Sequence, residues 1–173
     1  MKVAEKTSVN GLVRCDSAEL VIVLCGADWT GITSDVLIVN PGRLFPAVIC
    51  ALAHGRRLGI IKPDAGQIAP EREHYARLGI EAYVTAASPY AGRRRISLAE
   101  QAALELSRAG CEMVWMSCVG MDWQMRKAVQ DVVKVPVILA SSLLGRLVAE
   151  LVAAEDCQPI SGSELPGLPR AVR

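Results

Sequence analysis

Glu112-Met113-Val114-Trp115-Met116-Ser117-Cys118-Val119-Gly120-Met121-Asp122-Trp123 decides how this chain folds. A glutamate opens an apolar run, a cysteine closes it, and a glycine and then Asp-Trp follow. Apolar residues without polar alternation, bounded by glycine, predict a strand buried on both faces of a parallel sheet. An earlier stretch repeats the pattern: Glu19-Leu20-Val21-Ile22-Val23-Leu24-Cys25-Gly26-Ala27-Asp28-Trp29. Each cysteine then sits where a strand gives way to a loop, the edge at which open α/β sheets place their ligands. Two such half-sites predict a cleft between related lobes with a sulfur on each wall.

Outward from these runs, strand and helix signals alternate. Strands are expected at residues 20–24, 36–39, 58–61, 82–86, 113–117 and 135–139. Helical spacing covers 44–53, 70–78, 97–109, 123–133 and 142–153. Ser97 with Glu100 reads as a capping box, Asp122 as an N-cap, and Gly79 and Gly110 as residues just past helix ends. From Leu58 onward the order is four β-α units, which predicts a parallel sheet with right-handed crossovers. Residues 1–56 supply one or two strands and one clear helix, so they read as part of a lobe. Residues 57–154 read as a complete α/β lobe, and 155–173, rich in Pro, Gly and Ser, as a mobile tail.

Bulk composition narrows the function classes. The 19 basic and 18 acidic side chains leave a net charge of +1, so no electrostatic footprint for nucleic acid or an anionic membrane is expected. Arg93-Arg94-Arg95 reads as a solvated loop. No apolar stretch reaches the ~20 residues of a membrane helix. The six cysteines are sparse for a disulfide scaffold, and no pair has C-x-x-C spacing. Charged Lys2, Glu5 and Lys6 interrupt any secretory leader, so free thiols in a reducing cytoplasm are expected. No metal site is expected, and His54 and His74 read as a helix-end charge and an exposed helical residue. No Gly-x-Gly-x-x-Gly after a strand and no Walker sequence occurs, so no nucleotide cofactor is expected.

The second cysteine run continues into Gln124-Met125-Arg126, Val135-Pro136-Val137-Ile138-Leu139 and Leu143-Leu144-Gly145-Arg146-Leu147-Val148-Ala149-Glu150-Leu151. The first is followed by Pro41-Gly42-Arg43-Leu44 and Gly55-Arg56-Arg57-Leu58-Gly59. Over about residues 18–153 the chain resembles the AroM family of the Asp/Glu/hydantoin racemase superfamily. The resemblance implies a two-lobed α/β fold with a Rossmann-like parallel sheet lobe and one site between the lobes. In such racemases one cysteine works as thiolate base and the other as thiol acid, and by position Cys25 and Cys118 match those roles. The family's first lobe opens with a strand and a Gly-x-Ser-Pro-Arg-like loop. Nothing in residues 1–17 matches that opening, so the second lobe is expected to be truncated and its uncovered strand surface to favour a homodimer.

The sheet edge that carries Cys118 also collects Pro63, Ser88, Tyr90, Val119, Gly120, Ser141 and Ser142, with Gly26 beside Cys25. Their hydroxyls and backbone N–H groups can hold the carboxylate of a small ligand at helix N-termini. Proline and serine are equally good turn and cap residues, and a free cysteine is as often a small buried hydrophobe. Cys15, Cys50, Cys111 and Cys157 fit that second description. Two functions remain open. One is a cofactor-independent isomerase or racemase acting at the α-carbon of a small carboxylate. The other is a non-catalytic small-molecule-binding or interaction module on a degenerate form of the fold.

Overall fold

The computed structural model describes residues 12–13, 20–26 and 29–152. Readings made above on Cys15, Asp28, Cys157 and the segment 155–173 lie outside them. In chain order the elements are β1 (Leu12–Val13), β2 (Leu20–Ile22), β3 (Thr33–Ser34), β4 (Leu37–Val39), α1 (Pro41–Ala53), β5 (Leu58–Lys62), α2 (Ile68–Arg77), β6 (Ala82–Ala86), α3 (Arg95–Arg108), β7 (Met113–Met116), α4 (Trp123–Val133), β8 (Val137–Leu139) and α5 (Ala140–Val152).

β5 to β8 form one parallel sheet in the order β6-β5-β7-β8. The chain first steps from β5 to β6, then crosses back to place β7 on the other side of β5. That reversal makes the carboxyl ends of β5 and β7 the switch point of the sheet, where helices leave on opposite faces and a crevice opens between them. Ahead of this sheet lie two short parallel ladders, β1 with β3 and β2 with β4. The sequence pattern foretold β2 and β4; β1 and β3, at two residues each, carry no periodicity to read.

Period-two alternation divides each central strand between two cores. Val114 and Met116 face α3 and α4, packing with Ala99, Ala103, Leu106, Met125 and Val129. Met113 and Trp115 face the other way, against Phe45 and Ile49 of α1, Tyr75 of α2 and Leu144 of α5. Val39 at the end of β4 joins this second core, so residues 39–53 share it with the four-stranded sheet. Gly59 in β5 lets α3 approach closely: a Cβ there would lie 3.0 Å from the Leu106 side chain and 3.1 Å from Cys111 Sγ.

Helix ends differ from expectation in places. Asp122 caps α4 as read, accepting from Met125 N–H, and Gly79 and Gly110 take positive φ just beyond α2 and α3. The Ser97–Glu100 capping box does not form. A 3-10 turn over Gly92–Arg94 runs straight into α3, which puts Ser97 inside the first turn, its Oγ donating to the Arg94 carbonyl. The arginine run is likewise more than a solvated loop, because Arg95 opens α3 and pairs with Asp122 at 3.1 Å. α1 starts three residues early, since Asn40 caps it through Gly42 N–H and Pro41 suits the first turn. Among the described residues no helix is long and apolar enough to cross a membrane.

Candidate functional site

Cys118 follows β7 by two residues and is half-buried. The turn after the strand brings the Gly120 N–H back onto its Sγ at 3.4 Å. Tyr90, in the loop after β6, reaches across so that a Cβ on Gly120 would lie 2.6 Å from its phenol oxygen. The charge of Cys118 pushes the Tyr90 phenol above its ordinary range, with burial and contact with the same thiol adding to it. Tyr90 therefore keeps its proton and stays a donor beside the sulfur. Ser88 holds that loop by accepting from Tyr90 N–H at 3.3 Å. Behind the turn, Ser141 in the first turn of α5 donates to the Met121 carbonyl at 3.1 Å. Asp122 is anchored by Met125 N–H at 2.9 Å and by Arg95, which also bonds Gln124. Those contacts hold the Asp122 carboxyl below the usual carboxylate range.

Cys25 lies in the bend beyond β2 and is also half-buried. The next residue, Gly26, packs on the second strand exit: a Cβ on it would lie 3.6 Å from the Ser117 carbonyl. The residue after the first cysteine thus lies close to the residue before the second. Pro63 leads out of β5 at the same edge, Val119 packs into the core shared with α1 and α5, and Ser142 sits half-buried in the first turn of α5. Cys50 and Cys111 are free thiols pushed up by burial, Cys111 against an opposing pull from Arg57, which suits the small-hydrophobe reading.

Where Gly26 meets Ser117 a cavity of about 250 Å³ opens, at the switch point between β5 and β7. Phe45, Tyr75 and Trp115 form its apolar wall, with the Phe45 and Trp115 rings edge to face at 5.1 Å. Lys62, Glu71, His74 and Ser117 supply its polar groups, and neither Cys25 nor Cys118 is among the described lining residues. Lys62 Nζ pairs with Glu71 at 3.1 Å, both side chains largely withdrawn from solvent. Burial, then the charges of Glu71 and Cys50, push the Tyr75 phenol up, so it stays neutral. Ser117 is tied back to β5 through both its N–H and its Oγ, each donating to the Ile61 carbonyl.

His74 corrects the exposed reading given above: it is half-buried against the Tyr75 ring. Glu71, His74 and Tyr75 stand three and four residues apart, one face of a helix, so the sequence did hold a signal that they act together. Their meeting with Lys62 needed the direction in which α2 packs, which local spacing does not give. Among the described residues no group of three or more acidic, histidine or cysteine side chains is placed to hold a metal.

The family model for AroM protein matches residues 6–152. The match takes in residues 6–17, where the sequence alone showed no resemblance. No curated protein and no solved structure matches the chain.

Proposed function

The chain belongs to the AroM family, and from that premise we propose that it is a cofactor-independent isomerase or racemase acting at the α-carbon of a small carboxylate. Cys118 is the principal acid–base thiol and Cys25 its partner from the opposite wall. One observation carries the reading. Gly26, directly after Cys25, and Ser117, directly before Cys118, line one cavity, and a Cβ on Gly26 would lie 3.6 Å from the Ser117 carbonyl, so the two cysteines border the same cleft. A thiolate on one side takes the α-proton and leaves a planar carbanion. The thiol on the other side returns a proton to the opposite face, so two sulfurs exchange roles with each turnover. Positioned acid–base groups of this kind contribute about 100 to 10,000-fold in rate. The Gly120 N–H holds the Cys118 sulfur for that transfer, with the Tyr90 phenol beside it. Such chemistry suits a protein of the cytoplasm, where thiols stay reduced.

The test is hydrogen–deuterium exchange at the α-carbon. Wild-type protein in D2O with a panel of small α-substituted carboxylates is followed by proton NMR. Exchange above the buffer rate, restricted to one enantiomer in Cys118→Ser and to the opposite one in Cys25→Ser, supports the reading. No exchange with any acid of the panel overturns it. A second reading, small-molecule binding without turnover, is favoured by the cavity that neither cysteine lines. Ligand binding with no exchange at the α-carbon would select it.

A further inference from the structure

We propose that the cavity at the switch point is a binding site for a compact carboxylate with a flat apolar body, and that Lys62 is its counter-charge. The inference goes beyond the thiol chemistry, since it needs neither cysteine. Three features of the site carry it. The cavity lies at the reversal of strand order, where open parallel sheets leave a crevice between oppositely placed helices. Its volume of about 250 Å³ falls just below the range of pockets for drug-sized molecules, so it suits a metabolite of modest size. Its lining joins two chemistries: the rings of Phe45, Tyr75 and Trp115, and the polar groups of Lys62, Glu71 and His74.

The ion pair is the informative part. The Lys62 and Glu71 side chains retain only 14% and 20% of their exposure. Removing an ammonium and a carboxylate from water costs several kcal/mol per ion, and an apolar pair of similar volume often stabilises a fold as well or better. A pair kept in a cavity that also contains a half-buried histidine is therefore well placed for exchange: an incoming carboxylate takes the Lys62 ammonium and Glu71 is displaced toward solvent. His74, three residues from Glu71 on the same face of α2, stands as a second donor for the same carboxylate. The flat wall selects against branched acids, and the single available ammonium against dianions.

The probe is benzoate, with benzamide and benzylamine as neutral and cationic controls, and calorimetry with tryptophan fluorescence as readouts. Benzoate is expected to bind and the controls to bind at least tenfold more weakly. Lys62→Gln should weaken benzoate about tenfold or more, the value of one charged hydrogen bond, and Lys62→Arg should restore most of it. Glu71→Gln should tighten binding several-fold, because it removes the competing carboxylate. A purely structural ion pair predicts the opposite for Glu71→Gln, namely weaker binding together with lower stability. Far-ultraviolet dichroism and a urea midpoint confirm that each variant is folded; if Lys62→Gln does not fold, the sign of the Glu71→Gln effect still decides. Equal binding of benzoate and benzamide, or weaker benzoate binding in Glu71→Gln, overturns the proposal. Cys118→Ser is expected to bind benzoate like wild type, so a failed exchange experiment and a failed binding experiment point to different sites.

Discussion

β5 and β4 are both short apolar strands in parallel ladders, yet they live in different surroundings. Leu58, Ile60 and Ile61 of β5 have no exposed surface, because α3 covers one face while α1, α2 and α5 cover the other. In β4, Val39 is buried but Leu37 keeps 55% of its exposure and faces a groove of about 720 Å³ shared with Trp29 and Leu147. Strand-forming sequence is common to both. What separates them is the number of layers: a strand between two helical layers reads as continuously apolar, and a strand against one layer need not.

The largest expected contrast tests that difference directly. Ile60→Ala removes a side chain with no exposed surface from the centre of the sheet. It should cost about 2–5 kcal/mol, the transfer term plus the cavity left behind. Leu37→Ala should change stability by less than about 1 kcal/mol, since more than half of that side chain already meets water. Urea unfolding followed by dichroism measures both. Similar losses would mean that β4 is covered in solution, and the layer argument would fail.

A smaller effect belongs to the cap that opens α4 after β7 and ties it to Arg95 of α3. Asp122→Ala should cost about 1 kcal/mol, the usual value of an N-cap side chain. Its carboxyl is held low first by the Met125 N–H, against the opposing effect of burial, with Arg95 and the Gln124 N–H adding to the lowering. A carboxyl lower in the folded than in the unfolded state adds stability above its unfolded value, and that stability is lost as pH falls through the folded value. The stability difference between wild type and Asp122→Asn should therefore be flat at neutral pH and shrink below pH of about 4. Because the side chain is 41% exposed, solvent screens the pairing and the pH-dependent part should be a fraction of the cap energy. A difference that grows on acidification would reverse the assignment.

The same contrast between the two regions explains what could be read beforehand. β5 and β7 follow from apolar runs because they are buried on both faces, and the helices around them from punctuation such as Asp122 or Gly110. β1 and β3 could not be read, since two residues have no period. Ser97–Glu100 misled because a capping motif competes with the 3-10 turn that already starts the helix. Cys118 was legible from its place after a buried strand. Lys62 was visible as the charge that ends β5, but its partner Glu71 was not, because that pairing is set by how α2 lies across the sheet. Ser117 and Cys118, adjacent in sequence, serve different walls, as the alternation of β7 continued past its end requires: Ser117 lines the cavity with Trp115, and Cys118 packs with the core of Val114 and Met116.

Gly120 gives the smallest stability effect and the sharpest local one. A Cβ at this position meets the Tyr90 phenol oxygen at 2.6 Å, and Tyr90, at 78% exposure, is free to swing into solvent. Gly120→Ala should thus change stability by no more than about 0.5 kcal/mol, as surface substitutions do. It should nevertheless separate Tyr90 from Cys118. The phenol is pushed up first by the charge of that thiol, so its titration should fall back toward that of an ordinary tyrosine in Gly120→Ala and equally in Cys118→Ser. Phenolate absorbance, taken as the difference from Tyr90→Phe, reads this directly. Alkylation of Cys118 should change in Gly120→Ala, while alkylation of Cys25, which sits beyond the ladder and not in this turn, should not. A change at both cysteines would show that the two strand exits behave as one unit, and the contrast between sheet and ladder would stop short of the site.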